Sequence, residues 1–149
     1  MAIGAPSLKG RALRLLSQRE HSRSELERKL AKYEEAPGTL AAALDELAAK
    51  DFISEPRVVA SVLHQRAPRL GALRVRQELQ RKGIAPEAIA QALAGLQHSE
   101  LERARALWQR RFDAPPADPR ERARQTRFLL ARGFAGAVVA RVMKGGADE

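Results

Sequence analysis

The chain has 149 residues, 44% apolar and 30% charged, with 8 prolines and 10 glycines, which is the composition of a folded protein of modest size and excludes a disordered or collagen-like chain. It contains no cysteine, so disulfides, thiolate metal sites, iron–sulfur clusters and a cysteine nucleophile are excluded together. Twenty-seven Lys and Arg against 18 Asp and Glu give a formal charge of +9, which favours polyanions, nucleic acid foremost, or acidic protein surfaces.

Apolar residues recur at three- and four-residue spacing and no segment alternates, so the chain reads as all-α. A first helix opens after Ser7 with Leu8, Ala12, Leu15 and Leu16 on one face. A second opens at Ser22, where Ser22-Arg23-Ser24-Glu25 is a capping box: hydroxyl and carboxylate each take up an otherwise unpaired backbone N–H. Its expected inward face is Leu26, Leu30 and Tyr33. Pro37-Gly38 breaks the pattern, Leu40, Leu44 and Leu47 make a third helix ending near Lys50-Asp51, and Phe52 and Ile53 close the unit.

The arrangement then recurs. Ser54 caps a fourth helix with Pro56 in its first turn and Val59, Val62 and Leu63 inward. After the Pro68 break a fifth helix follows Gly71, burying Ala72, Val75 and Leu79, and Gly83 ends it as a left-handed cap before Pro86 starts a sixth with Ile89, Leu93 and Leu96. Ser99-Glu100-Leu101-Glu102 reads as a second capping box ahead of Leu101, Ala104, Trp108 and Phe112, and Asp118-Pro119 restarts the chain after a Pro-rich stretch.

An internal repeat ties these pieces together. Lys82-Gly83-Ile84 and Arg132-Gly133-Phe134 lie fifty residues apart, with Leu79 and Leu129 at the same offset and Leu30 another 49 residues upstream. A three-helix unit of this size buries little surface alone, so neighbouring units are expected to stack. The expected fold is a tandem array of three helix-turn-helix-like units at 7–53, 54–97 and 98–144, flanked by tails at 1–6 and 145–149 and stacked into an elongated, curved molecule.

Nothing in the sequence converges on catalysis. His21, His64 and His98 lack metal-ligand spacing, and there is no nucleophile elbow, phosphate-binding glycine loop or dinucleotide fingerprint. Glu25, Glu27, Glu34, Glu35, Asp45 and Glu46 fall on expected exposed helix faces among Arg28, Lys29 and Lys32, where solvated pairing accounts for them better than a cation site. The chain therefore reads as a non-enzyme with no cofactor or metal. With no apolar window of about 18 residues and no apolar run in Met1 to Gly10, it is expected in the cytoplasm and off the membrane.

Charge is unevenly spread. Glu25 to Glu55 holds eight acidic and four basic residues, Arg57 to Lys82 seven basic residues and only Glu78, and Arg103 to Lys144 eleven basic residues against Asp113, Asp118 and Glu121. One acidic surface followed by two basic ones suits docking along a charged polymer, although 21 arginines beside 28 alanines are also what GC-rich coding sequence produces. The fifth helix leaves Arg74, Arg76, Arg81 and Lys82 available, and the third unit offers Arg120, Arg122, Arg124, Arg127 and Arg132. Helix, glycine turn, helix also outlines a helix-turn-helix reader. The residues after the two turns, Ala85-Pro86-Glu87-Ala88 and Ala135-Gly136-Ala137-Val138, cannot reach base edges, which leaves non-specific phosphate contact. Phe52, Trp108, Phe112, Phe128 and Phe134 fall at core or unit-closing positions and offer poor stacking for single strands.

Two stretches carry a resemblance. Residues 11–30 are a leucine-rich helix, then Arg19-Glu20-His21-Ser22, then a capped helix with Glu25-Leu26 and Lys29-Leu30; residues 71–84 place Gly71, Val75, Glu78-Leu79 and Lys82-Gly83-Ile84 in one pattern. Both are similar to motifs of the RecX regulatory proteins, which modulate the RecA recombinase, and Arg57 and Arg66 match basic positions between them. The resemblance spans about residues 7 to 143 and departs at the junction Phe52-Ile53-Ser54-Glu55-Pro56-Arg57-Val58-Val59, which lacks one acidic residue and an aromatic of the family pattern. A partner contact made by that aromatic would be lost or altered.

What the resemblance implies is the tandem three-helix fold and a non-enzymatic regulator lying along the groove of the RecA–DNA filament. There it would bridge successive subunits and restrain recombinase, ATPase and co-protease activity in DNA repair and the SOS response. The implied partners are the RecA filament and, non-specifically, single- or double-stranded DNA, with the chain acting as a monomer. The expected contact residues are Arg57, Arg66, Arg69, Arg74, Arg76, Arg81 and Lys82, then Arg120, Arg124 and Arg127, divided between RecA and DNA phosphate in a way the sequence leaves open. The alternative is a stand-alone DNA-binding protein of helix-turn-helix type.

Overall fold

The computed structural model describes residues 4–145. Of the tails expected at 1–6 and 145–149, residues 1–3 and 146–149 lie outside the described residues. Among the described residues the chain forms α-helices and one 3-10 turn, with no strand. The order is α1 (Leu8–Gln18), α2 (Arg23–Leu30) running into the 3-10 turn Ala31–Tyr33, α3 (Thr39–Ala49), α4 (Glu55–Arg66), α5 (Ala72–Arg81), α6 (Pro86–Gln97), α7 (Glu100–Arg111), α8 (Pro119–Ala131) and α9 (Gly136–Met143).

Side-chain caps set four of the nine α-helix starts among the described residues. Ser7, Ser54 and Asp118 each accept the backbone N–H three residues on, and Ser22 with Glu25 forms the complete reciprocal capping box. The box expected at Ser99 does not form. α6 runs into α7 with almost no break, so Ser99 keeps φ −103° and ψ 0° instead of extended backbone, and its hydroxyl donates to the Leu96 carbonyl.

Each consecutive trio of helices encloses its own apolar cluster. Leu26, Leu44 and Leu47 centre the first, Val58, Val75 and Leu79 the second, and Leu129, Phe134 and Val139 the third, giving an all-α tandem helical repeat. In α4 the fully buried positions are Val58 and Val62, one turn apart, with Val59 and Leu63 only flanking the core.

The repeated glycine turn is the same structure twice. Gly83 and Gly133 adopt φ +73° and +93°, the amides of Ile84 and Phe134 donate back to Leu79 and Leu129, and the two glycine amides donate to Gln80 and Leu130. This is the Schellman closure, in which a left-handed residue ends the helix and an apolar residue folds back onto it. At the end of α3 the same bonding runs from Phe52 to Leu47 and from Asp51 to Ala48, with Asp51 at φ +65° in the glycine's place.

Two apolar residues expected to be covered are not. Phe52 is 46% exposed and Tyr33 38% exposed. Tyr33 belongs to the 3-10 turn, whose three residues per turn carry it off the buried stripe of α2.

Candidate functional site

The trios meet at two joints that differ in construction. Between the second and third, the Gly71 amide donates to the Arg132 carbonyl at 2.7 Å, the Leu73 amide to the Gly133 carbonyl at 3.1 Å, and Arg74 Nε to the Ala131 carbonyl at 3.0 Å. Arg103 adds bonds to the Ala67 and Leu70 carbonyls at 2.7 and 2.8 Å, while Glu100, paired with Arg103, accepts the Ala72 amide at 2.8 Å. Between the first and second the named polar links are ionic: Lys82 Nζ to Glu25 Oε2 at 3.2 Å and Arg57 Nε to Glu20 Oε2 at 3.0 Å.

These joints, and pairs inside single trios, engage part of the basic set expected to meet a partner. Arg57 pairs with both Glu20 and Asp51, and Arg66 faces Glu78 at 2.9 Å. Arg74 is tied to Ala131 across the second joint, and Lys82 to the buried Glu25 across the first. On α8, Arg124 forks onto Glu121 with two 3.0 Å bonds and lies 5.0 Å over the Phe112 ring.

The remaining expected residues are free. Among the described residues Arg69, Arg76, Arg81, Arg120 and Arg127 are exposed and have no side-chain hydrogen bond or ion pair. Arg120, Arg124 and Arg127 share one face of α8 by their spacing. Arg76 borders a groove of about 470 Å³ between the second and third trios, together with Leu73, Leu93 and Val138.

One carboxylate departs from the sequence expectation, while Glu27, Asp45 and Glu46 are exposed and paired as expected. Glu25 is not a solvated surface group: it is 6% exposed and accepts from Arg19 at 2.7 Å and the Ser22 amide at 3.0 Å besides meeting Lys82. Burial alone pushes its pKa up, and these partners overcome that and hold it at about 2. The rest of the stretch counted as acidic stays on the surface and is partly neutralised, in part by cations from helices earlier in the chain. Glu46 binds Lys9 and Lys50, Asp45 binds Arg23, and Glu34 and Glu55 cap backbone amides.

Sequence reasoning missed the roles of Glu100, Arg103 and Gln125. The first two have no local signal, because the carbonyls and amide they satisfy belong to another trio. Gln125 is buried, accepts from Trp108 Nε1 at 2.7 Å and donates to the Ala114 carbonyl at 3.1 Å. Among the described residues no cluster of His, Asp or Glu is placed to hold a metal ion, and no helix is long and apolar enough to cross a membrane.

Comparison with known proteins accounts for the three consecutive three-helix units. Models of the first, second and third three-helix domains of RecX match residues 9–47, 54–93 and 98–143. The regulatory protein RecX of Leptothrix cholodnii is 56% identical over 146 residues, covering 97% of this chain and 93% of its own length. That of Ralstonia nicotianae is 50% identical over 139 residues, covering 93% and 87%. Among solved structures, RecX from Lactobacillus salivarius superposes with a TM-score of 0.78 at 19% identity over 92% of each chain. Another regulatory protein RecX gives 0.76 at 22% identity over 92% of this chain and 71% of that one. With three domain models matched in order and such close relatives over nearly its full length, the chain belongs to the RecX family of regulatory proteins.

Proposed function

We propose that this chain regulates the RecA recombinase by lying in the groove of the RecA–DNA filament, bridging successive subunits and restraining recombinase, ATPase and co-protease activity. It does so without chemistry of its own, as a monomer in the cytoplasm, with units 7–53, 54–97 and 98–144 as successive modules.

The observation that carries this reading is the split among its basic residues. Arg57, Arg66, Arg74, Lys82 and Arg124 are engaged within the chain, Arg66 and Arg124 inside their own trios and Arg57, Arg74 and Lys82 across the joints, where they fix the trios against one another and set the spacing of the free cations. Arg69, Arg76, Arg81, Arg120 and Arg127 are left to face RecA carboxylates or DNA phosphates. A serial array that presents unpaired cations at intervals complements a polymer whose subunits repeat.

The test is the single-strand-dependent ATPase of RecA, titrated with the wild type and with Arg69→Glu/Arg76→Glu/Arg81→Glu. The wild type is expected to suppress turnover well below one chain per RecA. The variant is expected to need about tenfold more protein, because three favourable contacts become repulsive. An unchanged ATPase together with tight, salt-sensitive binding to bare duplex would replace this reading with that of a stand-alone DNA-binding protein.

A further inference from the structure

The first trio holds a cleft that has no part in the reading above. It lies between α1 and the segment formed by α2 and its 3-10 turn, encloses about 260 Å³, and has Leu15 and Leu30 among its lining. Arg11, Arg14, Lys29 and Lys32 also line it, and no carboxylate does.

Elsewhere on this trio most cations are neutralised, Lys9 by Glu46, Arg23 by Asp45 and Glu27, Arg19 by Glu25 and Lys50 by Glu46, with Arg28 alone on an exposed face. The cleft quartet has no such partner among the described residues. Its one polar tie is that of Lys29 Nζ to His21 Nε2 at 3.0 Å, a contact with a neutral ring. Four like charges around one concavity repel each other and concentrate positive potential there, so the arrangement favours an anion inside it.

The cleft is also aromatic. Tyr33, displaced from the core by the 3-10 turn, lies at its edge with the Arg11 guanidinium 3.7 Å over its ring and the Lys32 ammonium 5.2 Å from the same centroid. A guanidinium stacked on a phenol makes a flat cationic platform beside the other charges. Carboxylates of an acidic peptide would use the charges and leave the platform idle. A nucleotide uses both, placing phosphate among the cations and a base against the stack.

We propose that this cleft binds a nucleotide unit, with phosphate held by Arg14, Lys29 and Lys32 and the base lying on the Arg11–Tyr33 stack. A single strand and a free nucleoside triphosphate carry the same chemistry. The cleft is separate from the arginines assigned to the RecA filament, and its test uses the chain alone, so its failure leaves that reading standing.

The experiment is fluorescence anisotropy of a labelled oligothymidylate and of a labelled nucleoside triphosphate with the full chain, across a salt series. Arg14 and Lys32 are exposed and make no ion pair among the described residues, so Arg14→Gln/Lys32→Gln is expected to melt as the wild type. Losing two phosphate contacts is expected to lower the salt slope for the strand by about 1.4. Tyr33→Leu is expected to weaken the strand about fivefold or more, Tyr33→Phe to restore it, and an abasic strand to be indifferent to both. Displacement of the triphosphate by the strand identifies the strand as the source; triphosphate binding that the strand leaves untouched identifies the free nucleotide. An unchanged slope and affinity in Arg14→Gln/Lys32→Gln overturns the proposal. So does competition by polyglutamate of equal charge as strong as that by oligothymidylate.

Discussion

Gly71 and Gly133 meet backbone to backbone where the second and third trios join: a Cβ on Gly71 would lie 2.4 Å from the Gly133 carbonyl oxygen. The turn that ends α8 thus also docks the start of α5, and one glycine serves both jobs. Gly71→Ala must push two main chains apart and is expected to cost about 1–3 kcal/mol. Gly133→Ala adds a left-handed φ of +93° and a contact of 2.4 Å to Arg74 Cγ, and should be the worse of the two. Gly95→Ala, in α6 with open space around it, is expected to stabilise by about 0.5–1 kcal/mol. Urea unfolding of the three variants reads these signs directly, and a wild-type midpoint for Gly71→Ala would rule out the joint.

Glu25 gives the other joint an acid limit. Its folded pKa of about 2 lies below the ordinary 4.5, so the unfolded chain takes up the proton first. The stabilisation is therefore complete above about pH 4.5 and lost as pH falls towards 2. Melting curves from pH 7 to 2 are expected to show this loss in the wild type. Glu25→Gln should start less stable at pH 7 and fall less steeply; curves of one shape for both proteins would count against it.

His21 acts in the same sense at a higher pH. It is 1% exposed, with Nδ1 3.1 Å from the Arg19 carbonyl and Nε2 3.0 Å from Lys29 Nζ, an arrangement that a neutral ring satisfies by donating at Nδ1 and accepting at Nε2. Burial pushes its pKa below 6.5; the Arg19 carbonyl and Glu25 oppose that, while the Arg19 and Lys29 cations reinforce it. The folded state is then the poorer proton binder, so stability is whole above about pH 6.5 and declines as pH falls below it. Ring titration followed by NMR should show His21 still neutral where a free histidine is half protonated, and His21→Gln should remove this segment of the pH dependence.

The parts of the fold legible in the sequence are those fixed by local stereochemistry. Gly83 and Gly133 announce themselves because a left-handed closure favours a residue without Cβ and is followed by an apolar one, here Ile84 and Phe134. The equivalent turn at Asp51 carries no such mark. Ser22 and Ser99 look alike as helix starts, yet only the first follows extended backbone, and that depends on how closely the preceding helix abuts. The basic residues were legible as a type and not as free or engaged. Arg57 finds Glu20 at a separation of 37 residues and Arg74 finds Ala131 at 57, distances over which only the folded array decides who meets. Charge summed along the chain missed, for the same reason, the cations that Lys9 and Arg23 bring to Glu46 and Asp45.

Engaged and free cations should separate cleanly in paired measurements. Lys82→Ala leaves the buried Glu25 without one of its two cationic partners and is expected to lower stability by about 1–3 kcal/mol. Arg76→Ala removes an exposed side chain with no partner among the described residues, and should stay within about 0.5 kcal/mol of wild type. Assayed for RecA ATPase suppression at a temperature where both are folded, the order is expected to reverse, with Arg76→Ala the weaker regulator. If Arg76→Ala destabilised the chain as much as Lys82→Ala, or if both suppressed RecA as the wild type does, the split between joint residues and partner residues would be wrong. The comparison is independent of expression level, because each variant supplies its own stability and its own titration midpoint.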